Sequence, residues 1–254
     1  MTSFRGREST VLTSTEIDYT RHYRKWHDDS ETHCDAMCRH FQSLLDPYLP
    51  ESKDSRILDV GCGTGFALQA LREIGYHNLE GIDSDKGQAA AARRRGLAVN
   101  VGDALKYLQT RSGRFDLILC LDVIEHVPVE NQLTFVAALL EGLADGASLI
   151  CTVPNANSSL ASRWRYIDWT HTSSFTEHSL DFLLFNAGFR NIRILPGEVD
   201  RSVRLPWLPH RASLGYLVWR SFRFLRRLEM MAEFGSKQGR SIPLSLNLMA
   251  IASR

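Results

Sequence analysis

Short apolar runs alternate with helical segments along most of this chain, and that alternation limits the possible folds more than any other feature. The first unit begins at Arg56 and consists of the run Ile57-Leu58-Asp59-Val60, a glycine-rich turn and a helical segment from Phe66 to Ile74. Strands and helices that follow one another in this way form a parallel sheet with right-handed crossovers and helices on both faces. The sequence therefore predicts an α/β fold, a Rossmann-like doubly wound sheet.

The alternation continues to the end of the chain. Phe115 to Leu121 is nearly all apolar, as a strand covered on both faces should be. Thr176 is the expected N-cap of the last core helix, and Ser179 is expected to lie too far along the chain to help. Beyond the first unit, the predicted strands are 79–83, 98–101, 115–121, 147–153, 191–195 and 246–252, and the predicted helices are 86–95, 104–109, 129–143 and 176–186.

The length of 254 residues suits one large α/β domain and is too short for two full-sized domains with linkers. Tyr19, Tyr23 and Trp26 recur at about one helical turn near the N-terminus, and an amphipathic helix is predicted from Thr32 to Leu49. We expect these helices to form a lid over the core. The predicted single domain, 1–254, has four parts: a helical lid at 1–50, a core at 51–195, a basic amphipathic insertion at 199–243 and the last strand at 244–254.

Composition argues against several classes of protein. With 44% hydrophobic residues, 23% charged residues and a net charge of +1, the chain resembles neither a disordered protein nor a basic nucleic-acid binder. No apolar run approaches the length of a membrane span, and the polar N-terminus lacks the apolar core of a secretory signal. The five cysteines form no CxxC pair, which argues against a disulfide framework and a structural zinc site. We expect a cytoplasmic protein with reduced, mostly buried thiols.

The turn after the first strand, Asp59-Val60-Gly61-Cys62-Gly63-Thr64-Gly65, has the properties of a ligand-binding loop. Its glycines allow positive φ angles and let the backbone closely approach a nucleotide-like molecule. Asp83 ends the second strand about 20 residues further on, where a carboxylate can accept from both hydroxyls of a ribose. Asp103 ends the third strand, where it can accept from an adenine amine. The pattern is GxGxG rather than GxGxxG, which disfavours a dinucleotide.

Together these motifs resemble those of class I S-adenosylmethionine (SAM) dependent methyltransferases. The resemblance rests on residues 59–65, Asp83, Gly102-Asp103-Ala104 and Phe115-Asp116-Leu117, and it covers residues 50–195. It implies a seven-stranded sheet whose last strand is antiparallel, with SAM as cofactor and S-adenosylhomocysteine as product. It also implies that the glycines of the turn face the methionine part of SAM, Asp83 its ribose and Asp103 its adenine. The predicted cofactor site comprises Asp59, Gly61, Gly63, Gly65, Asp83, Ser84, Asp103, Ala104, Leu121 and, from the lid, Tyr23 and Trp26.

The stretch Asp122-Val123-Ile124-Glu125-His126-Val127 follows the fourth strand, at the edge where open α/β sheets bind ligands. It resembles the same part of ubiquinone-type and sugar-modifying O-methyltransferases. In some ubiquinone-type relatives, acids and a histidine here bind a divalent cation, which would make Asp122, Glu125 and His126 metal ligands. The alternative is that Glu125 and His126 organise the loop through local hydrogen bonds. We expect no essential metal.

The segment 165–176 holds more polar and aromatic groups than closing a loop requires. Its Asp168 and Thr170-His171 resemble methyltransferases of polysaccharide and lipid-linked glycan pathways. A hydroxyl acceptor must lose a proton, and a base that is neutral near pH 7 can remove it. We predict His171 as the first candidate for that base and His126 as the second. Asp168 is expected to orient the histidine and to stabilise its charged form.

The insertion at 199–243 combines arginines with an apolar stripe. Leu205-Pro206-Trp207-Leu208-Pro209 precedes a predicted helix, Leu214 to Met231, with one apolar and one basic face. One interpretation is peripheral contact of 205–231 with the anionic inner face of a membrane. The other is that the helix covers the acceptor pocket or makes a homodimer contact, with its arginines in solvent. The stripe consists of Leu214, Leu217, Val218, Phe222, Leu225 and Leu228, and the arginines of this segment are Arg201, Arg204, Arg211, Arg220, Arg223, Arg226 and Arg227.

The combined interpretation is a SAM-dependent O-methyltransferase whose acceptor is a hydroxyl, expected on a glycan or lipid-linked saccharide. A small phenolic or quinone-like acceptor is the first alternative. The second is a non-catalytic SAM-binding scaffold, because intact cofactor residues do not by themselves establish turnover. No nucleic-acid partner is expected. One fold can serve many functions, so the fold does not identify the acceptor. The acceptor is inferred from a short loop alone.

Overall fold

A seven-stranded sheet organises the molecule in this computed structural model, which describes residues 19–28, 30–197 and 210–254, with side chains from Gly215 onward in the last range. The strand order is β3-β2-β1-β4-β5-β7-β6, and β7 runs antiparallel to both of its neighbours. The predicted fold is therefore confirmed. The strands are β1 (Ile57–Val60), β2 (Leu79–Asp83), β3 (Val99–Val101), β4 (Phe115–Leu121), β5 (Leu143–Pro154), β6 (Arg190–Pro196) and β7 (Asn247–Ser253).

Helices cover both faces of the sheet. They are α1 (Tyr19–Tyr23), α2 (Glu31–Leu45), α3 (Phe66–Glu73), α4 (Lys86–Arg94), α5 (Ala104–Gln109), α6 (Val129–Gly142), α7 (Ala161–Tyr166), α8 (Glu177–Asn186), α9 (His210–Phe234) and α10 (Ser236–Ser241). No helix among the described residues combines the length and the hydropathy that crossing a membrane requires.

The central strand β4 shows why its sequence is apolar throughout. Successive side chains of a strand point to opposite faces of the sheet. Ile118 and Cys120 pack into the cluster under α5, α6 and α8, whereas Leu117 and Leu119 pack into the cluster under α2 and α3. All four are buried, because helices lie on both sides.

Most element bounds agree with the predictions to within two residues, and the differences have local causes. The helix predicted to reach Leu49 ends at Leu45, since Pro47 lacks an N–H for the helical ladder, and the chain continues as a short 3-10 turn. Strand β5 begins at Leu143 instead of Ala147. The insertion forms the longer helix α9 and a second helix, α10, while residues 205–209 lie outside the described part of the chain.

The expectation for Ser179 was wrong. Thr176 caps α8 as predicted, but Ser179 closes the cap from the other side: its N–H donates to Thr176 Oγ1 at 3.2 Å, and its hydroxyl accepts from the Thr176 N–H at 2.9 Å. Three residues are close to one helical turn, so the two side chains meet.

The carboxyl ends of β1, β2 and β4 meet at one edge of the sheet, where the strand order reverses between β1 and β4. Open α/β sheets bind ligands outside such a switch point.

Candidate functional site

A cavity of about 450 Å³ opens at this edge, between the strand ends and helix α1. One half is lined by the glycine turn and β2, and contains Asp59, Asp83 and Tyr23. The other half is lined by the loop after β4 and by the segment after α7, and contains Glu125 and His126. We refer to the first as the acid half and to the second as the histidine half.

The glycine turn brings backbone, rather than side chains, to the acid half. Gly63 has a φ of +53°, and an added Cβ would lie 2.8 Å from Gln88 Oε1 and 3.2 Å from the Tyr23 hydroxyl oxygen. The Gly63 N–H donates to Asp83 Oδ2 at 2.8 Å. A side chain at this position would therefore fill the space that the cavity offers to a ligand.

Of the carboxyl groups of the acid half, Asp59 is buried and Asp83 is half-buried. Burial, assisted by the nearby Asp83, raises the pKa of Asp59 to about 8. Burial also raises the pKa of Asp83, although the amides of Asp85 and Gly63 donate to its oxygens and oppose the shift. Such groups favour a ligand that brings positive charge or hydroxyl donors.

The structure brings most of the predicted cofactor residues to the cavity wall, but three stay away from it. Gly65 is the N-cap of α3 with a φ of +84°, and an added Cβ there would lie 2.4 Å from Leu97 Cδ1. Asp103 is exposed and caps α5 by accepting from the Lys106 N–H at 2.8 Å, and its neighbour Ala104 begins that helix. The predicted residues on the wall are Tyr23, Trp26, Asp59, Gly61, Gly63, Asp83, Ser84 and Leu121.

Two histidines face each other in the histidine half, with the ring centroids of His126 and His171 4.6 Å apart. His126 Nδ1 lies 2.8 Å from Thr170 Oγ1, and His171 Nδ1 lies 3.1 Å from the carbonyl oxygen of Trp164. The Thr170 hydroxyl donates to Asp168, so it accepts from His126. These bonds assign the proton of each neutral ring to Nδ1 and leave a lone pair on each Nε2.

Burial keeps both imidazoles neutral. It lowers the pKa of His126 to about 4, assisted by the nearby His171. Burial also lowers the pKa of His171. A neutral imidazole with a free lone pair can accept a proton from a hydroxyl group.

Asp168 does not orient His171 as expected. One carboxylate oxygen accepts from the Thr170 N–H at 2.8 Å and from the Thr170 hydroxyl at 2.7 Å, and the other lies 3.5 Å from His22 Nε2. Burial opposes ionisation of Asp168, but the Thr170 hydrogen bonds, together with the nearby His126 and His22, outweigh it and lower the pKa. Thr170 therefore connects Asp168 to His126.

Helix α1 contacts both halves of the cavity. The Tyr19 hydroxyl donates to Thr170 Oγ1 at 2.6 Å, and the Tyr19 N–H donates to Asp85 Oδ2 at 2.9 Å. Sequence reasoning named Tyr19 as a lid residue but missed His22 and Thr170. For Thr170 the available signal was its place beside His171 in a polar loop, and for His22 its place between Tyr19 and Tyr23.

Glu125 is fully buried, and neither of its carboxyl oxygens meets a hydrogen-bond partner among the residues that the structure describes. Burial, assisted by the charge of Asp122, raises its pKa well above the usual value. One donor atom each from Glu125, His126 and His171 lie within 4.8 Å of one another, an arrangement that can hold a divalent cation.

This donor set differs from the set considered from the sequence. Asp122 has a φ of +56°, and its Oδ1 accepts from the Thr152 hydroxyl at 2.9 Å and from Asn247 Nδ2 at 2.8 Å. His171 takes its place in the cluster. The absence of an essential metal remains a prediction.

Comparison with known proteins identifies the family of this chain. The sequence model of the family described as "Methyltransferase domain" matches residues 17–194. The ubiquinone biosynthesis O-methyltransferase of Maricaulis maris is 30% identical over 194 residues, which cover 71% of this chain and 68% of that protein. The protein of the same name from Psychrobacter arcticus is 26% identical over 182 residues, which cover 64% and 70%.

The fold has a close counterpart among solved structures. A SAM dependent methyltransferase from Archaeoglobus fulgidus superposes with a TM-score of 0.65 at 21% identity, covering 93% of this chain and 99% of the other.

Proposed function

Because the chain belongs to the methyltransferase domain family and is a SAM-dependent methyltransferase, we propose that it methylates a hydroxyl of a small phenolic or quinone-like acceptor. The observation that carries the proposal is the meeting, in one cavity, of an acid half suited to a cationic cofactor and a histidine half suited to removing a proton.

The residues of the acid half fit SAM. Gly63 lacks room for a Cβ, and Asp83 lies at the end of β2, where it can accept from ribose hydroxyls. When bound, SAM supplies a methyl group activated by its sulfonium. The protein has to hold the acceptor oxygen in line with that methyl group and exclude water, and such positioning can lower a barrier by about 7–11 kcal/mol. We propose that α1, through Tyr23 and Trp26, closes the cavity during this step.

The hydrogen bonds favour His126 over His171 as the base, which reverses the order expected from the sequence. When His126 takes a proton on Nε2, its Nδ1–H still points to Thr170, which donates to the ionised Asp168. The charge of the imidazolium is thereby stabilised through one hydroxyl. His171 bonds through Nδ1 to a backbone carbonyl, which carries no net charge.

The proposed chemistry needs no metal, because the neutral imidazoles already offer lone pairs to the acceptor proton. The buried carboxyl of Glu125 and one ring nitrogen each of His126 and His171 nevertheless fit a divalent cation. Bound there, a cation would act as a Lewis acid on the acceptor oxygen.

The proposed acceptor class rests on the sequence relatives and not on the resemblance of residues 165–176. The glycan or lipid-linked saccharide expected from residues 165–176 has no support among the relatives, whereas the two relatives described above are named for ubiquinone biosynthesis. The phenolic or quinone-like alternative is therefore the better supported.

Radiolabelled methyl transfer tests the proposal directly. The purified protein is incubated with methyl-labelled SAM and with catechol, hydroquinone or a free saccharide, and calorimetry with SAM and S-adenosylhomocysteine verifies cofactor binding. We expect O-methylated product from the phenols and none from the saccharide. Transfer to the saccharide alone would restore the glycan hypothesis, and cofactor binding without transfer to any acceptor would favour the scaffold.

A further inference from the structure

Helix α9 exposes its apolar side. Leu217, Val218, Phe222, Phe224, Leu225 and Leu228 have fractional exposures between 44% and 62%. At 100° per residue these six positions span an arc of about 160° on one side of the helix. A continuous apolar face of this size in water marks an interaction surface.

The opposite side of α9 attaches the helix to the rest of the protein. Met230 is buried against Ile242 and Leu244. Arg227 Nη1 donates to the carbonyl oxygens of Gly239 and Ile242, each at 2.6 Å, and Arg226 Nε donates to that of Asn157 at 3.3 Å. These arginines do not lie in open solvent, contrary to the arrangement considered with a pocket-covering or dimer-forming helix. The contacts fix α9 with its apolar side outward.

The exposed side of α9 continues into a neighbouring segment, residues 160–169. Phe222 and Leu225 share a cleft of about 490 Å³ with Ala161 and Ser162 of α7. Leu160 before α7, Tyr166 at its end and Trp169 beyond it are exposed, Trp169 by 88%. The same stretch of chain, continued to His171, lines the cavity at the strand ends with Trp164, Ile167, Asp168 and His171.

We propose that α9 and the segment 160–169 form one docking surface for an anionic lipid bilayer. Residues 210–228 contain five arginines and no acid, and α7 adds Arg163 and Arg165; of these arginines, Arg226 and Arg227 are bonded to the protein, which leaves the others for the surface. Arginines beside exposed aromatic and aliphatic side chains match the interface of an anionic membrane, where apolar groups enter and basic groups meet headgroups. In a second copy on this face, each α9 would meet a helix with five arginines and only two acids, Glu229 and Glu233, and this excess of positive charge opposes association.

Vesicle flotation measures this binding without depending on the proposed function. The full chain is mixed with vesicles of phosphatidylcholine containing phosphatidylglycerol, or of phosphatidylcholine alone. We expect flotation with the anionic vesicles, weakened by salt, and little with the neutral ones. The double variant Phe222→Ser with Leu225→Ser should bind at least about tenfold less, because two apolar side chains no longer enter the interface. Arg220→Glu should also weaken binding.

A matched control distinguishes binding through this surface from nonspecific adsorption through exposed apolar side chains. Phe182→Ser with Leu133→Ser changes one phenylalanine and one leucine of comparable exposure on other helices, and it should float like the wild type. Circular dichroism and calorimetry with SAM should find all variants folded and able to bind cofactor. Absence of wild-type flotation, or an equal loss in the control, would overturn the proposal. So would dimerisation of the wild type in ultracentrifugation that the double variant abolishes, if neither binds vesicles.

Discussion

The two halves of the cavity suppress charge in opposite ways. In the acid half, burial raises the pKa of Asp59 and Asp83 and disfavours their ionised forms. In the histidine half, burial lowers the pKa of His126 and His171 and disfavours their protonated forms. The comparison teaches that one physical cause prepares both functions: a cationic ligand can recover the suppressed negative charge, while neutral imidazoles stay available to accept a proton.

The largest expected effect is on the histidine half. His126→Ala should lower turnover by roughly 10²- to 10⁴-fold, the usual contribution of a general base, and change SAM affinity less than about twofold. His171→Ala should lose less turnover, because the Nδ1 of that ring bonds to a backbone carbonyl oxygen instead of reaching a carboxylate through a hydroxyl. Steady-state kinetics and calorimetry measure the two quantities, with the exposed His178→Ala as control. Equal losses of turnover and affinity in His126→Ala would assign this residue a structural role.

A smaller effect is expected in the acid half. Asp83→Asn should weaken SAM binding by about 10- to 100-fold, since hydrogen bonds to a charged group contribute roughly 1.5–3 kcal/mol. Asp103→Asn keeps the helix cap and is exposed outside the cavity wall, so its effect should be much smaller. Calorimetry of both variants tests whether Asp83 belongs to the SAM-binding half and Asp103 does not. A comparable loss of SAM affinity in Asp103→Asn would support the contact between Asp103 and the adenine that the sequence predicted.

The pH dependence of cofactor binding tests the acid half further. The raised pKa of Asp59, about 8, means that much of this group is protonated at pH 7 and ionised at pH 9. Affinity for the sulfonium of SAM should therefore increase as pH rises, by up to about tenfold across this range. S-adenosylhomocysteine has a neutral sulfide and serves as the control, and the ratio of the two affinities is the readout. A ratio independent of pH would contradict titration of Asp59 near the sulfonium.

The smallest effect is expected from removing metal. Turnover after treatment with a chelator should stay within about twofold of the untreated protein, because the proposed base is an imidazole. A large loss that Mg²⁺, Mn²⁺ or Zn²⁺ restores would instead make Glu125, His126 and His171 a metal centre. Metal analysis of His171→Ala would then show loss of the bound ion.

The acid half was largely predictable, because its residues lie where strands end. A short apolar run followed by glycines fixes the positions of Asp59 and Gly63, and the next strand end fixes Asp83. The connection of Asp168 to His126 was not predictable, since it joins segments 44 residues apart through Thr170. Asp168 and His171 lie close together in the sequence, but this segment follows α7 as an irregular loop, and the Asp168 carboxylate reaches Thr170 and His22 instead of His171.

Helix α9 likewise has one feature that the sequence predicted and one that it did not. Its apolar stripe follows from helical spacing, so the sequence predicted it. Which side faces the protein depends on Arg226 and Arg227 reaching distant carbonyl oxygens, and helical spacing carries no information about those partners.

The double attachment of α1 has a kinetic consequence. Tyr19 joins this helix to Asp85 beside the acid half and to Thr170 beside the histidine half. Lifting α1 far enough to free one half also breaks its bond to the other. With α1 closing the cavity as proposed, we expect cofactor and acceptor to share one gate and the residence times of the two products to be linked rather than independent.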